Sequence, residues 1–268
     1  MLQALLRGKL SRREEDLEDL LTSNVFGVIK YLDVDRGILP VLASAEDISG
    51  NSPLSDLHSV NNIKYEFWPL LRQPKCYPCE PDVLIEIVHE DIKKKLILIE
   101  AKYLSGKSSE ATPDDKPTDQ LAREWDNLQS LSAEIGADPY LVFVTAHVAM
   151  PREEVEESAR EYSMKRGATA RIIWLSWRKI WWLFRDSNNA MLKDMVSVLA
   201  KINLVYFNGI HIEPAGEFEW EFNVNLEVPT TFDWAYRVST IAWKFDPFDF
   251  LFNWEPDYVP KISWRFLI

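Results

Sequence analysis

The chain has 268 residues, 47% of them hydrophobic and 27% charged, so it can bury a sizeable core as one large α/β domain or as one domain with an appendage. No apolar run approaches the roughly 20 residues of a membrane-spanning helix, which excludes an integral helical membrane protein. A net charge of −12 argues against a surface that coats nucleic acid uniformly, but it leaves room for an enzyme with one basic face and carboxylates masked by a metal.

The N-terminal MLQALLRGKLSRREED has a short apolar start followed by charge, without the apolar stretch and cleavage site of a signal peptide. The expectation is a cytoplasmic protein. From Glu14 to Leu32 the residues Leu17, Leu21, Val25, Val28 and Leu32 recur at steps of three and four, predicting an amphipathic first helix. A polar, Pro-containing stretch runs to about Asn62. IKYEFWPLL then reads as a strand, followed by the turn-forming QPKCYPCEP. Cys76 and Cys79 supply at best half of a zinc site, and no histidine completes a familiar spacing, so they read as thiols in a turn.

VLIEIV and KLILIEAKY form two further strands separated by the polar His89 to Lys95. The loop LSGKSSEATPDDKP is rich in helix breakers. Its Gly106-Lys107-Ser108 lacks the upstream glycine of a phosphate-binding loop and is set aside. Thr118 to Leu131 carries Leu121, Trp125, Leu128 and Leu131 at helical spacing. PYLVFVTA is a continuous apolar run, as expected of a strand covered on both faces. PREEVEESAREYSMKRG opens with proline and acids and closes with bases and glycine, as a helix does. ARIIWLSW is another buried strand.

The order helix, three strands, helix, strand, helix, strand indicates an α/β (α+β) fold with a central mixed sheet flanked by helices. MLKDMVSVLAKI follows with helical spacing, and the region beyond Leu204 is strand-like and aromatic, holding five of the eleven tryptophans between Trp220 and Trp264. The expected organisation is a core over residues 1–186 and a C-terminal helix with an aromatic extension over 187–268, able to pack on the same core.

The chemistry gathers at two strand ends. If the hairpin pairs symmetrically about Ile92, Asp82 stands opposite Lys102 and Leu84 opposite Glu100. Alternation puts Glu100 and Lys102 on one face, and strands about 4.8 Å apart bring Asp82 to the same end of the sheet. Two carboxylates converging there make a hard oxygen site suited to Mg²⁺ or Mn²⁺, with room for water and a phosphate. Lys102 could hold the attacking water, deprotonate it or contact the phosphate.

Pro81-Asp82, an apolar strand, then Glu100-Ala101-Lys102 at the end of a second apolar strand resembles the signature of the PD-(D/E)XK nuclease superfamily. The resemblance spans roughly Glu14 to Ser176, where the order of elements also matches the restriction-endonuclease-like core. It implies a Mg²⁺- or Mn²⁺-dependent nuclease cleaving DNA, with Asp82 and Glu100 as metal ligands and Lys102 at the nucleophile. It further implies Glu18 on the first helix as an extra acid near the metal, Gln120 of DQLAREW as a site glutamine, and a role in restriction or phage defence. A non-catalytic nuclease-fold subunit is the rival, its aromatic C-terminal region supporting a homodimer or another protein partner.

Structural alternatives stand beside each residue. Asp82 and Lys102 could be a cross-strand ion pair, Glu100 a solvated strand end, and Gln120 a polar helix start. For Glu18 the structural alternative carries equal weight, and for Glu86 and His147 it is preferred. An acid directly after Leu96-Ile97-Leu98-Ile99 would be costly to bury without a cation.

Overall fold

The strands that carry the longest apolar runs lie at the centre of a five-stranded sheet. In the computed structural model residues 14–89, 93–103 and 115–206 are described, with side chains from Glu18 onward. Helix α1 spans Glu14–Ile29, a 3-10 turn Val34–Arg36 follows, and α2 is Ile38–Ala43. Then come β1 (Val60–Phe67), β2 (Val83–His89), β3 (Lys94–Ala101), α3 (Gln120–Ile135), β4 (Ala137–Thr145), α4 (Arg152–Arg166), β5 (Ile172–Ser176), α5 (Trp177–Phe184) and α6 (Ala190–Lys201). The strand order is β1-β2-β3-β4-β5. β1, β2 and β3 pair antiparallel, whereas β3, β4 and β5 pair parallel. The sheet is thus mixed and flanked by helices, as the sequence predicts, and β3 is the strand at which pairing changes sense.

Both faces of β3 are buried, and each faces a different helical layer. Ile97, Ile99 and Ala101 pack with Phe26 of α1, Ile38 of α2, Trp177 of α5 and Leu199 of α6. Leu96 and Leu98 pack with Trp125 and Leu128 of α3 and with Val155 and Tyr162 of α4. Trp125 and Trp177 are among the largest fully buried side chains, one in each layer. Each fully buried Leu or Ile of this kind contributes about 1.5–3 kcal/mol relative to an exposed one. That layering explains why β3 and β4 read as unbroken apolar runs instead of alternating ones.

Local signals account for the helix ends. Asp119 caps α3 by accepting from the Ala122 N–H at 3.2 Å, and Gly136 ends the helix in the left-handed region at φ 69°. Two helices are absent from the sequence reading. In α2 the run ILPVLA buries Ile38, Leu39, Val41 and Leu42. Its Pro40 falls in the first turn, where a missing N–H costs nothing. In α5 the Ser176 side chain accepts from Arg178 N–H and turns the chain from strand to helix one residue before the predicted strand ends.

The predicted hairpin register is corrected. Leu84 stands opposite Leu98, not Glu100, a shift of two residues. The ladder closes where the His89 N–H donates to the Lys93 carbonyl at 2.9 Å, nearer to β2 than a centre at Ile92 requires. Because the shift is even, no side chain changes face.

The described residues up to Tyr206 belong to one compact unit. The expected boundary between residues 186 and 187 falls between α5 and α6, whose Phe184 and Leu192 share one buried cluster. The aromatic stretch from Trp220 to Trp264 lies outside the described residues, as do Gly106 to Ser108. Among the described residues no helix is long and apolar enough to cross a membrane.

Candidate active site

Asp82 sits directly before β2 and is buried. Its Oδ2 accepts from the Ala101 N–H at 2.8 Å, which ties the start of β2 to the end of β3. On the other side its carbonyl accepts from the Trp68 N–H at 2.8 Å, and Trp68 adopts a left-handed φ of 49°, a strained conformation for a bulky residue. Backbone on both neighbouring segments therefore holds this acid.

Glu100 is the penultimate residue of β3 and 3% exposed. Lys102 Nζ lies 2.9 Å from its Oε1, and the Gln120 amide donates to the same oxygen. Lys102 itself is fixed through its backbone. Its N–H donates to the Val144 carbonyl at 2.7 Å, extending the parallel ladder, and its carbonyl accepts from Trp177 Nε1 at 3.1 Å.

Glu18 reaches the same cluster from α1. Its Oε1 accepts from Lys102 Nζ at 3.0 Å and its Oε2 from the Tyr103 N–H at 3.0 Å. Lys102 thus bridges an acid from the helical layer on one face of the sheet and an acid of β3. The structure brings together five residues, Asp82, Glu100, Lys102, Gln120 and Glu18, drawn from four places in the sequence.

One member of the cluster was missed by sequence reasoning. Glu124 lies one helical turn beyond Gln120, is 1% exposed, and is in hydrogen-bond contact with Glu100 and Gln120. The spacing of Gln120 and Glu124 within DQLAREW is the signal that could have found it, since residues four apart share a helix face.

The electrostatics follow from burial. Desolvation pushes the Asp82 carboxyl up to about 8, and Glu100 adds to the rise. Burial also raises Glu100, against the pull of the Lys102 ammonium. Glu124 is raised well above the carboxylate range by burial first and by Glu100 second. For Lys102, burial favours the neutral amine, but Glu100 and Glu18 more than offset it and hold the ammonium above its ordinary value. One ammonium thus faces Glu18, Asp82, Glu100 and Glu124. Such a cluster favours either bound protons or an added cation.

Whether a divalent cation fits is decided by the donors present. Among the described residues no three His, Cys, Asp or Glu side chains form a ready ligand cage. Mg²⁺ needs less, being held ordinarily by one or two carboxylates with the rest of its shell from water and phosphate. Asp82 and Glu100 supply two, and among the described residues the buried Glu124 Oε2 has no hydrogen-bond partner. The donor set fits a cation of this kind.

The other candidates lie elsewhere. Glu86 pairs with Lys94 at 3.5 Å, well down β2. His147 follows β4 and contacts Thr145 Oγ1 at 3.1 Å. Cys76 and Cys79 are free thiols, with Cys79 buried and its backbone paired to Leu71. Several basic side chains are engaged within the protein. Lys95 and Arg171 pair with Asp138, and Arg166 with Asp126. Arg178 donates to the carbonyls of Ala146, Asn203 and Val205.

No family model and no curated protein matches this chain. Among solved structures, SfsA from Pyrococcus furiosus in complex with Ca²⁺ aligns at 19% identity with a TM-score of 0.23. The alignment covers 43% of this chain and 48% of that one, so the chain spans about half the length of the structure it matches. A likeness that weak establishes neither fold nor activity, and the site stands on its own geometry.

Proposed function

We propose that the chain is a metal-dependent nuclease of the PD-(D/E)XK type that hydrolyses DNA phosphodiester bonds. The observation that carries this reading is the convergence of Asp82, Glu100, Lys102 and Gln120 at one end of the sheet, with Glu100 bonded to both Lys102 and Gln120. The order of elements around that site agrees with the resemblance noted in the sequence.

Asp82 and Glu100 would hold the ion, and Glu18 would act from farther out, through Lys102. When bound, the ion would supply acidified water and neutralise charge building on the phosphate. The chain's own residues do the rest. The Ala101 N–H fixes the orientation of the Asp82 carboxyl. Gln120 fixes Glu100 from the helix side. Lys102, held as an ammonium between two acids, presents positive charge to a phosphate oxygen and does not act as a base while those acids remain ionised.

The test is nicking of supercoiled plasmid and cutting of labelled single strands with Mg²⁺ or Mn²⁺, for wild type, Asp82→Ala and Lys102→Ala. Cleavage by wild type alone is expected. Equal cleavage by all three would overturn the site assignment, and no cleavage on any nucleic acid would favour the non-catalytic subunit.

A further inference from the structure

Helix α3 presents two polar side chains to the sheet on successive turns. Gln120 donates to Glu100, and Glu124 lies on the same face in contact with both. Yet Glu124 Oε2 is shut off from solvent and meets no hydrogen-bond donor among the described residues. A buried carboxyl oxygen without a partner is costly, and buried polar atoms nearly always find one. The neighbouring acids have theirs. Asp82 has the Ala101 N–H, Glu100 has Gln120 and Lys102, and Glu18 has Lys102 and Tyr103.

We propose that Glu124 is a further acid of the cation site, whose Oε2 accepts a hydrogen bond from water in the shell of a divalent ion held by Asp82 and Glu100. The inference rests on the cation reading given above. A small divalent ion keeps several waters, and those waters need acceptors around them. Asp82 and Glu100 already supply the one or two carboxylates that such an ion ordinarily takes, which leaves Glu124 to the water in its shell. Its place on the same helix face as Gln120 lets one helix set both Glu100 and the hydration of the site.

The experiment is Mn²⁺ titration by calorimetry on the full chain at pH 8, with thermal melts in EDTA. Glu124→Gln keeps the volume and a donor for Glu100 but replaces the ionisable carboxylate by a neutral amide carbonyl, a weaker acceptor for water polarised by a cation. Its Mn²⁺ affinity should fall about 10- to 100-fold, with a melting temperature in EDTA no lower than wild type. Asp82→Asn should abolish binding. If Asp82→Asn loses the ion while Glu124→Gln binds within twofold of wild type, the role of Glu124 is overturned and the cation site stands. If wild type binds no Mn²⁺, both fall together. Should Glu124→Gln fail to fold, Glu124→Asp is measured instead, and a loss of affinity is again expected. Wild-type affinity in Glu124→Asp, or failure of both variants to fold, overturns the proposal in favour of a purely structural acid.

Discussion

The Asp82 carboxylate accepts the Ala101 N–H at 2.8 Å, so the acid that opens β2 is oriented by the backbone between Glu100 and Lys102. The side-chain carbonyl of an asparagine can accept the same bond. Asp82→Asn should therefore fold as well as wild type in EDTA while cleavage falls on the order of 10²-fold or more. Melting curves beside nicking rates check this, and a matched loss of stability and activity would reassign Asp82 to the scaffold.

Ion binding should depend on pH in a definite direction. The Asp82 carboxyl, ordinarily at 3.8, is pushed up to about 8, chiefly by burial and then by Glu100. A raised folded value means that the stability this group contributes is complete below about pH 4 and is lost as pH rises through 8. A cation must displace that proton. Mn²⁺ affinity should rise by roughly tenfold per pH unit up to about pH 8 and then level off, with protons released on binding. Titrations at several pH values, in buffers of different ionisation enthalpy, measure both quantities. A flat profile would contradict the buried, proton-holding state of Asp82.

Removing the ammonium should expose the acids it joins. Lys102 lies 2.9 Å from Glu100 and 3.0 Å from Glu18, and all three side chains are largely buried. Lys102→Met should destabilise the ion-free protein by about 3 kcal/mol at pH 8, because Glu100 loses its buried counter-ion and keeps only the Gln120 amide. The loss should shrink at pH 5, since burial raises the Glu100 carboxyl and lets it take a proton. Urea melts at the two pH values separate this from a simple packing defect, which would be equal at both.

A residue remote from the acids should tune the site through α3. Glu161 of α4 accepts the Thr118 N–H at 2.5 Å and the Asp119 N–H at 3.2 Å, gripping the chain just before Gln120. Glu161→Gln should weaken this grip by about 1 kcal/mol and speed hydrogen exchange in the first turn of α3. Cleavage should fall several-fold, with Mn²⁺ affinity less affected. Unchanged exchange at that turn would remove the connection.

The sheet and the acids were legible in the sequence for a physical reason. β2, β3, β4 and β5 are covered on both faces or nearly so, and their apolar runs leave little choice of element. The register was not legible, because it depends on where the ladder closes between His89 and Lys93. Helix α2 was hidden by its brevity and its Pro40, and α5 by a run, WRKIWWLF, whose aromatic content suits a strand as well. Glu124 was hidden for another reason. One sequence shows that Gln120 and Glu124 share a helix face, but only the packing of Trp125 and Leu128 against Leu98 turns that face toward Glu100. The pairing of Glu18 with Lys102 joins residues 84 positions apart and leaves no local trace.

The change of pairing sense at β3 bears on the protein's acidity. Because β3, β4 and β5 run parallel, they all end where Glu100 and Lys102 lie, and α3 and α5 start at that same end of the sheet. Each helix start, capped by Asp119 or by Ser176, directs the positive end of its macrodipole toward that end. At an end of the sheet where Glu18, Asp82, Glu100 and Glu124 face one ammonium, these peptide dipoles offset part of the negative field of the acids. That offset is part of the main chain, and reversing surface charges should leave most of it in place.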